Sequence, residues 1–269
     1  MNINLIKILD EIEKEKGISK EILIEAIEAS LISAYKKNFV QGKTNIEISF
    51  DQNTGKVKVF SRKKVVETVN NSSLEIDIEQ AQKSKRKSVN IGDEIDIEIT
   101  PKEFGRIATQ TAKQVVVQKI REAERKAIYD RYIDKVKDII TGMVQRQEYS
   151  NIIIDLGKAE AVLPYHEQVK NEYYSKGKRM KFYVTEVKKT SKGPKIVVSR
   201  THPDLLKRLF ELEVPEIHEG LVEIRGIARE AGKRSKIAVN SQDEMIDSIG
   251  SCIGDRGARI KSIMAELQD

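Results

Sequence analysis

Apolar residues recur along this chain with two different spacings, and the switches between them mark out its segments. Leu5, Ile8, Leu9 and Ile12 share one helical face, and Gly17 ends that run. Ser19 is placed to cap a second helix with the stripe Leu23, Ala26, Ile27, Leu31, Ala34 and Tyr35. Two amphipathic helices joined by a tight turn are expected to pack as a hairpin. The period then drops to two. Ile46, Ile48 and Phe50 alternate, Asn53-Thr54-Gly55 reads as a turn, and Val57 and Val59 resume the alternation. The polar stretch 70–90 reads as a short helix, Glu79 to Lys83, and a loop with Lys85, Arg86 and Lys87. Ile95, Ile97 and Ile99 make a third strand.

The helical period returns at Thr100-Pro101-Lys102-Glu103. Thr100 is the expected N-cap, Pro101 suits the first turn, and Glu103 completes a capping box. Phe104, Ala108, Ala112, Val116, Ile120, Ala123 and Ala127 trace one face for about six turns. Beyond Gln118 the other faces are charged. This predicts a long helix that packs on the N-terminal domain and then serves as a stiff connector.

From Ile139 the pattern is short strands: Gly142–Val144, Ile152–Asp155, Glu160–Leu163, Lys181–Val187 and Ile196–Ser199. Five short strands in about 60 residues fit a small Greek-key barrel of the OB type, with Tyr165–Gly177 as its helix or long loop. Thr201-His202-Pro203 breaks the last strand. A helix from Asp204 to Glu213 follows, then strand-like runs at Leu221–Ala228 and Lys236–Asn240. Two helices, Asp247–Ile253 and Ala258–Leu267, flank Gly254-Asp255-Arg256-Gly257. The fold class is therefore α+β and multidomain. It comprises an N-terminal α/β domain with a connector helix (1–130), a five-stranded OB barrel (131–200) and an α/β KH domain (201–269).

Charge sharpens this picture. The net charge is +6, but residues 170–200 hold ten Lys/Arg against two Glu, and residues 201–269 are net acidic. A local basic field favours a polyanion through counterion release. The single Cys252 excludes an internal disulfide and a multi-Cys metal site. One Cys and no secretory pattern fit a reducing cytoplasm. No apolar run reaches the roughly 20 residues of a membrane span.

Two motifs carry chemistry, and both hold single-stranded RNA without making or breaking bonds. Gly-x-x-Gly between short helices leaves the backbone open, so a phosphate chain can lie on main-chain N–H groups and a helix N-terminus. KH domains clamp about four nucleotides in this way. The candidate residues are Gly254, Asp255, Arg256, Gly257, Arg259 and Lys261. Asp255 is an acid inside the clamp and should weaken it, partly offset by the neighbouring cations. On the barrel, rings would stack on bases and cations would meet phosphates. Tyr149, Tyr165 and His166 are the ring candidates, and Lys181, Lys192, Lys195 and Arg200 the cations.

Enzyme signatures are thin. His166, His202 and His218 lie in no triad or ligand spacing, and no P-loop or dinucleotide fingerprint occurs. No catalytic residue, metal or cofactor is expected. An RNA-degrading phosphorolytic enzyme combines the same two modules, but in reverse order and behind large catalytic domains.

The order of modules, together with local text, resembles the bacterial NusA family of transcription termination/antitermination factors. The similar stretches are Thr100-Pro101-Lys102-Glu103-Phe104-Gly105-Arg106-Ile107-Ala108, Ser199-Arg200-Thr201-His202-Pro203, and Leu209-Phe210-Glu211-Leu212-Glu213-Val214-Pro215. The resemblance implies an N-terminal domain that binds RNA polymerase near the β-subunit flap and RNA exit channel. It implies nascent RNA held by the barrel and KH modules, effects on pausing, termination and antitermination, and partnership with other Nus factors. It also implies a second KH domain and a further strand in the first, so the expectation is a truncated chain with reduced RNA affinity. A general or ribosome-associated RNA-binding factor with no polymerase docking is the alternative.

Overall fold

A computed structural model describes residues 4–40, 44–51, 57–85 and 89–267 and divides into two compact units, Met1–Glu124 and Arg125–Asp269. In the first, α1 (Asn4–Lys16) closes where the Gly17 N–H bonds the Glu13 carbonyl at 3.0 Å. In α2 (Lys20–Phe39), Ser19 Oγ accepts the Ile22 N–H at 3.4 Å, as its capping position predicts. Leu9, Ile12, Leu23, Ile27 and Leu31 are buried together, so the two helices pack through these positions of the expected stripes, whereas Ile8 is left exposed. The Asn53-Thr54-Gly55 turn lies outside the described residues, as does the Arg86–Lys87 part of the basic loop.

The sheet of this unit is centred on its longest strand. β1 (Ile46–Phe50) pairs antiparallel with β2 (Val57–Val66), matching Ile48 with Val59. β3 (Glu75–Asp77) lies parallel to the end of β2, and α3 (Ile78–Lys85) follows it. β4 (Glu94–Glu98) runs antiparallel to β2. β3 was not expected, because three residues are too few for an alternating pattern to register. Val65, Ile76, Ala81, Val89 and Ile95 form a small core beneath it.

The expected capping box before the long helix is absent. α4 (Phe104–Ile133) starts four residues after Thr100. The Thr100 hydroxyl instead accepts the Val59 N–H at 3.0 Å and donates to Glu98 Oε1 at 3.3 Å. It completes the sheet edge rather than a helix end. Phe104, with Tyr35 and Phe39 edge-on to it at 5.3 and 5.9 Å, seals the core against α2. α4 has 30 residues, about 45 Å of helix. Its stripe continues past Ala127, since Ile128, Tyr129, Tyr132 and Ile133 join the core of the second unit.

That second unit opens with β5 (Ile139–Glu148), β6 (Asn151–Asp155) and β7 (Glu160–Leu163). β8 (Arg179–Thr190) and β9 (Gly193–Ser199) complete a closed barrel in the order β5-β6-β7-β9-β8. Val144, Ile154, Leu163, Phe182, Val184, Ile196 and Val198 fill its interior. One short 3-10 turn, Tyr165–Glu167, occupies the long connection after β7. The C-terminal module follows as α5 (Pro203–Glu213), α6 (Pro215–His218), β10 (Val222–Glu230), β11 (Arg234–Ser241), α7 (Ser248–Ile253) and α8 (Ala258–Leu267). His202 caps α5, its Nδ1 accepting the Asp204 N–H at 3.1 Å, and its ring stacks on Tyr183 at 4.4 Å. Tyr183 is a barrel residue, yet it packs with Leu205, Leu209, Phe210, Cys252 and Ile263. Barrel and C-terminal module thus share a core.

Candidate nucleic-acid interface

The glycine loop is built by the ends of two helices. Asp247 caps α7, accepting the Ile249 and Gly250 N–H groups at 3.1 and 3.0 Å. Gly254 then takes φ +74, and its N–H returns to the Gly250 carbonyl at 2.9 Å. A Cβ on Gly254 would sit 2.7 Å from Arg259 Cγ, so glycine is required by space as well as by dihedral. Arg256 is held at φ +48, a left-handed conformation costly for a side-chain-bearing residue. The loop feeds into α8, where helix N–H groups and the positive end of the dipole converge.

The cations of this loop are not equivalent. Arg256 is exposed beside the exposed Asp255. Arg259 is engaged: Nη1 donates to Glu216 at 2.8 Å and to the Ser251 carbonyl at 2.6 Å. Backbone hydrogen bonding and then Arg259 hold the Glu216 carboxyl below its ordinary range. Lys261 Nζ donates to the Arg256 carbonyl at 3.1 Å and so braces the loop. Cys252 is buried in the core of this module, and burial and then Glu216 push its thiol up. Ile249 and Ile253, one helical turn apart on α7, are exposed on the approach to the loop. Their spacing of four could have flagged the pair.

On the barrel, the ring candidates gather at one end. Gln168 Nε2 donates to the Ser150 carbonyl at 2.8 Å and to the Leu163 carbonyl at 3.1 Å. That ties the 3-10 turn with Tyr165 and His166 to the β5–β6 turn with Tyr149. Tyr149 is fully exposed and held at φ +54, and Tyr165 is two-thirds exposed. The lysines lie elsewhere. β9 runs parallel to β7 with Ile196 level with Ala161, so Lys195 stands beside the start of β7 and Tyr165 beyond its end. The four residues of β7 alone put about 10 Å between its two ends. Lys192 is in the β8–β9 turn, which Arg125 grips through the Ser191 carbonyl at 2.9 Å. Lys181 is half-engaged, its Nζ 3.6 Å from Glu266.

Arg200 is corrected outright. It is fully buried and has no surface for a phosphate. Its Nε reaches both oxygens of Glu172 at 3.1 and 2.9 Å. Nη1 donates to the Lys181 carbonyl at 2.7 Å and to Glu266 Oε1 at 3.0 Å, and Nη2 to Glu172 and to the Glu266 carbonyl. Every guanidinium donor is used. Burial opposes the charge, but Glu172 and then Glu266 outweigh it and keep the group charged. Tyr173, which was not among the predicted rings, is largely exposed on the same connection.

Three family models cover the chain in order: "NusA N-terminal domain" over residues 4–126, "S1 RNA binding domain" over 133–199, and "NusA-like first KH domain" over 200–269. A curated protein of Bacillus subtilis (strain 168), the transcription termination/antitermination protein NusA, is 55% identical over 268 residues, 100% of this chain and 72% of that protein. The chain belongs to the NusA family. The Thermus thermophilus NusA is 39% identical over 277 residues, 99% of this chain and 71% of its own length. A solution structure of the N-terminal domain of NusA from B. subtilis is 56% identical, covering 46% of this chain and 99% of that one, with a TM-score of 0.42. The α+β, three-module fold class read from the sequence is that of the NusA family, with S1 and KH modules of RNA-binding type. Among the described residues, no helix is long and apolar enough to cross a membrane, and no group of three or more His, Cys, Asp or Glu is gathered for a metal ion.

Proposed function

We propose that this NusA-family chain acts by binding rather than catalysis, in the cytoplasm, as a transcription elongation factor. Its N-terminal unit docks on RNA polymerase near the β-subunit flap and RNA exit channel. Its barrel and KH module hold nascent single-stranded RNA, and through these contacts it modulates pausing, termination and antitermination, alone or with other Nus factors. The observation that carries the reading is the glycine loop at the head of α8, with Asp255 and Arg256 exposed, in the same unit as the exposed ring end of the barrel. The module order of the NusA family supports the polymerase half.

Weak RNA contacts suffice in such a design. A chain anchored on polymerase meets the emerging strand at an effective concentration far above its bulk value. The reading is tested by adding the chain to elongation complexes halted at a hairpin-dependent pause. The expected result is a longer pause, shortened again when Arg256 and Lys261 are both changed to Glu. Pausing indifferent to the chain contradicts it.

A further inference from the structure

Tyr173 lies in the connection between β7 and β8, at the seam with the KH module. Its neighbours on both sides face inward. Glu172 is buried in the grip of Arg200. Tyr174 packs against the barrel core, its hydroxyl donating to Glu172 at 2.8 Å and accepting the Val169 N–H at 2.9 Å. The Tyr173 carbonyl is held by Lys178 Nζ at 3.2 Å. With the chain pinned before, at and after it, Tyr173 is forced outward and leaves 82% of its surface exposed. A lone exposed aromatic is ordinary on a protein surface. A ring displayed by a backbone fixed at three successive residues is a different case, because little ordering entropy remains to be lost when something stacks on it.

The connection is also fastened to the KH module. Asn171 Nδ2 donates to the Gly232 carbonyl, at the β10–β11 tip, at 3.3 Å. Gly232 has φ +77, and a Cβ there would stand 2.6 Å from Val169 Cγ1, so the hairpin tip seats on this segment only as glycine. The chemistry around the ring is one-sided. Residues 169–179 carry Lys170, Lys176, Lys178 and Arg179, and their single acid, Glu172, is consumed by Arg200. The adjoining hairpin tip adds exposed Arg234, while Lys233 there is paired with Glu230 at 3.8 Å. A flat π-face set among cations, with no free carboxylate in its segment, is the recognition chemistry of a base flanked by phosphates.

We propose that Tyr173 is a base-stacking post for single-stranded RNA at the barrel–KH seam, with Lys170 and Lys176 meeting the flanking phosphates. The proposal rests on the RNA-binding reading above and adds a third contact to the two proposed there. The test uses the full chain and a labelled single-stranded RNA of about 16 nucleotides at low salt, with inorganic polyphosphate as a base-free polyanion. Tyr173→Ala is expected to weaken RNA binding about tenfold, the lower range of measured base–aromatic stacking. Tyr173→Phe should bind as the parent does, and polyphosphate binding should be the same for all three. RNA binding by Tyr173→Ala equal to the parent's overturns the post while leaving the RNA-binding reading intact. Equal weakening toward polyphosphate overturns stacking in favour of loop distortion. A parent chain that fails to bind the RNA removes the underlying reading, and the post with it.

Discussion

Glu266 of α8 is joined to Arg200, just beyond β9, by two bonds: Nη1 to Oε1 at 3.0 Å and Nη2 to the backbone carbonyl at 2.8 Å. The same carboxylate accepts the Lys181 N–H of the barrel at 2.8 Å. α8 begins at the glycine loop and ends at this clamp, so one helix of ten residues, about 15 Å, links the KH loop to the barrel.

Arg200→Met is therefore expected to destabilise the second unit by about 3–5 kcal/mol, because it leaves Glu172 buried without its partner. The double variant Arg200→Met/Glu172→Leu should recover much of that loss, since an apolar pair of similar volume avoids the desolvation cost. Urea unfolding followed by circular dichroism measures both. Lys192→Ala, on an exposed turn, should stay within about 0.5 kcal/mol of the parent.

Asp255 stands exposed in the glycine turn proposed to meet phosphates. Asp255→Lys should tighten RNA binding at low salt and steepen the salt dependence by about 0.7 in log–log slope, the value for one added single-strand phosphate contact. Titrations at several salt concentrations read this directly. Unchanged affinity at low salt would remove the RNA from this turn.

Tyr183 supplies a pH-dependent link between barrel and KH core. Burial, with Asp204 accepting the hydroxyl at 3.1 Å, pushes it up to about 12 from the ordinary 10. A raised folded-state value means its contribution is complete below pH 10 and is lost as pH rises from 10 towards 12. Stability should fall across that window by on the order of 2–3 kcal/mol more in the parent than in Tyr183→Phe. Parallel pH profiles for the two proteins would show that the phenol is not coupled to folding.

The elements with long, regular patterns were legible in the sequence, and the exceptions have physical causes. Short apolar runs separated by turn residues located the five barrel strands, and Ser19 marked the start of α2 correctly. Thr100 misled because a hydroxyl serves a strand N–H as well as a helix N–H, and Val59 required one. The end of α4 was set too early. Ile128 and Tyr132 continue its stripe, but the surrounding charges obscured the pattern. Arg200 shows the limit most clearly. An arginine in a basic run reads as surface, and only the fold brings Glu172 and Glu266, 28 residues before and 66 after, onto its guanidinium. Tyr173 was hidden for a related reason, since its exposure follows from what its two neighbours bury.

The polymerase anchor is the central claim, and capture of core RNA polymerase by residues 1–130, with nuclease present throughout, tests it most directly. This fragment carries complete cores of its own in the α1–α2–α4 packing and beneath β3. The expected result is retention of polymerase by this fragment without RNA. No retention, while residues 131–269 still bind RNA, would contradict the anchor and leave a general RNA-binding protein in its place.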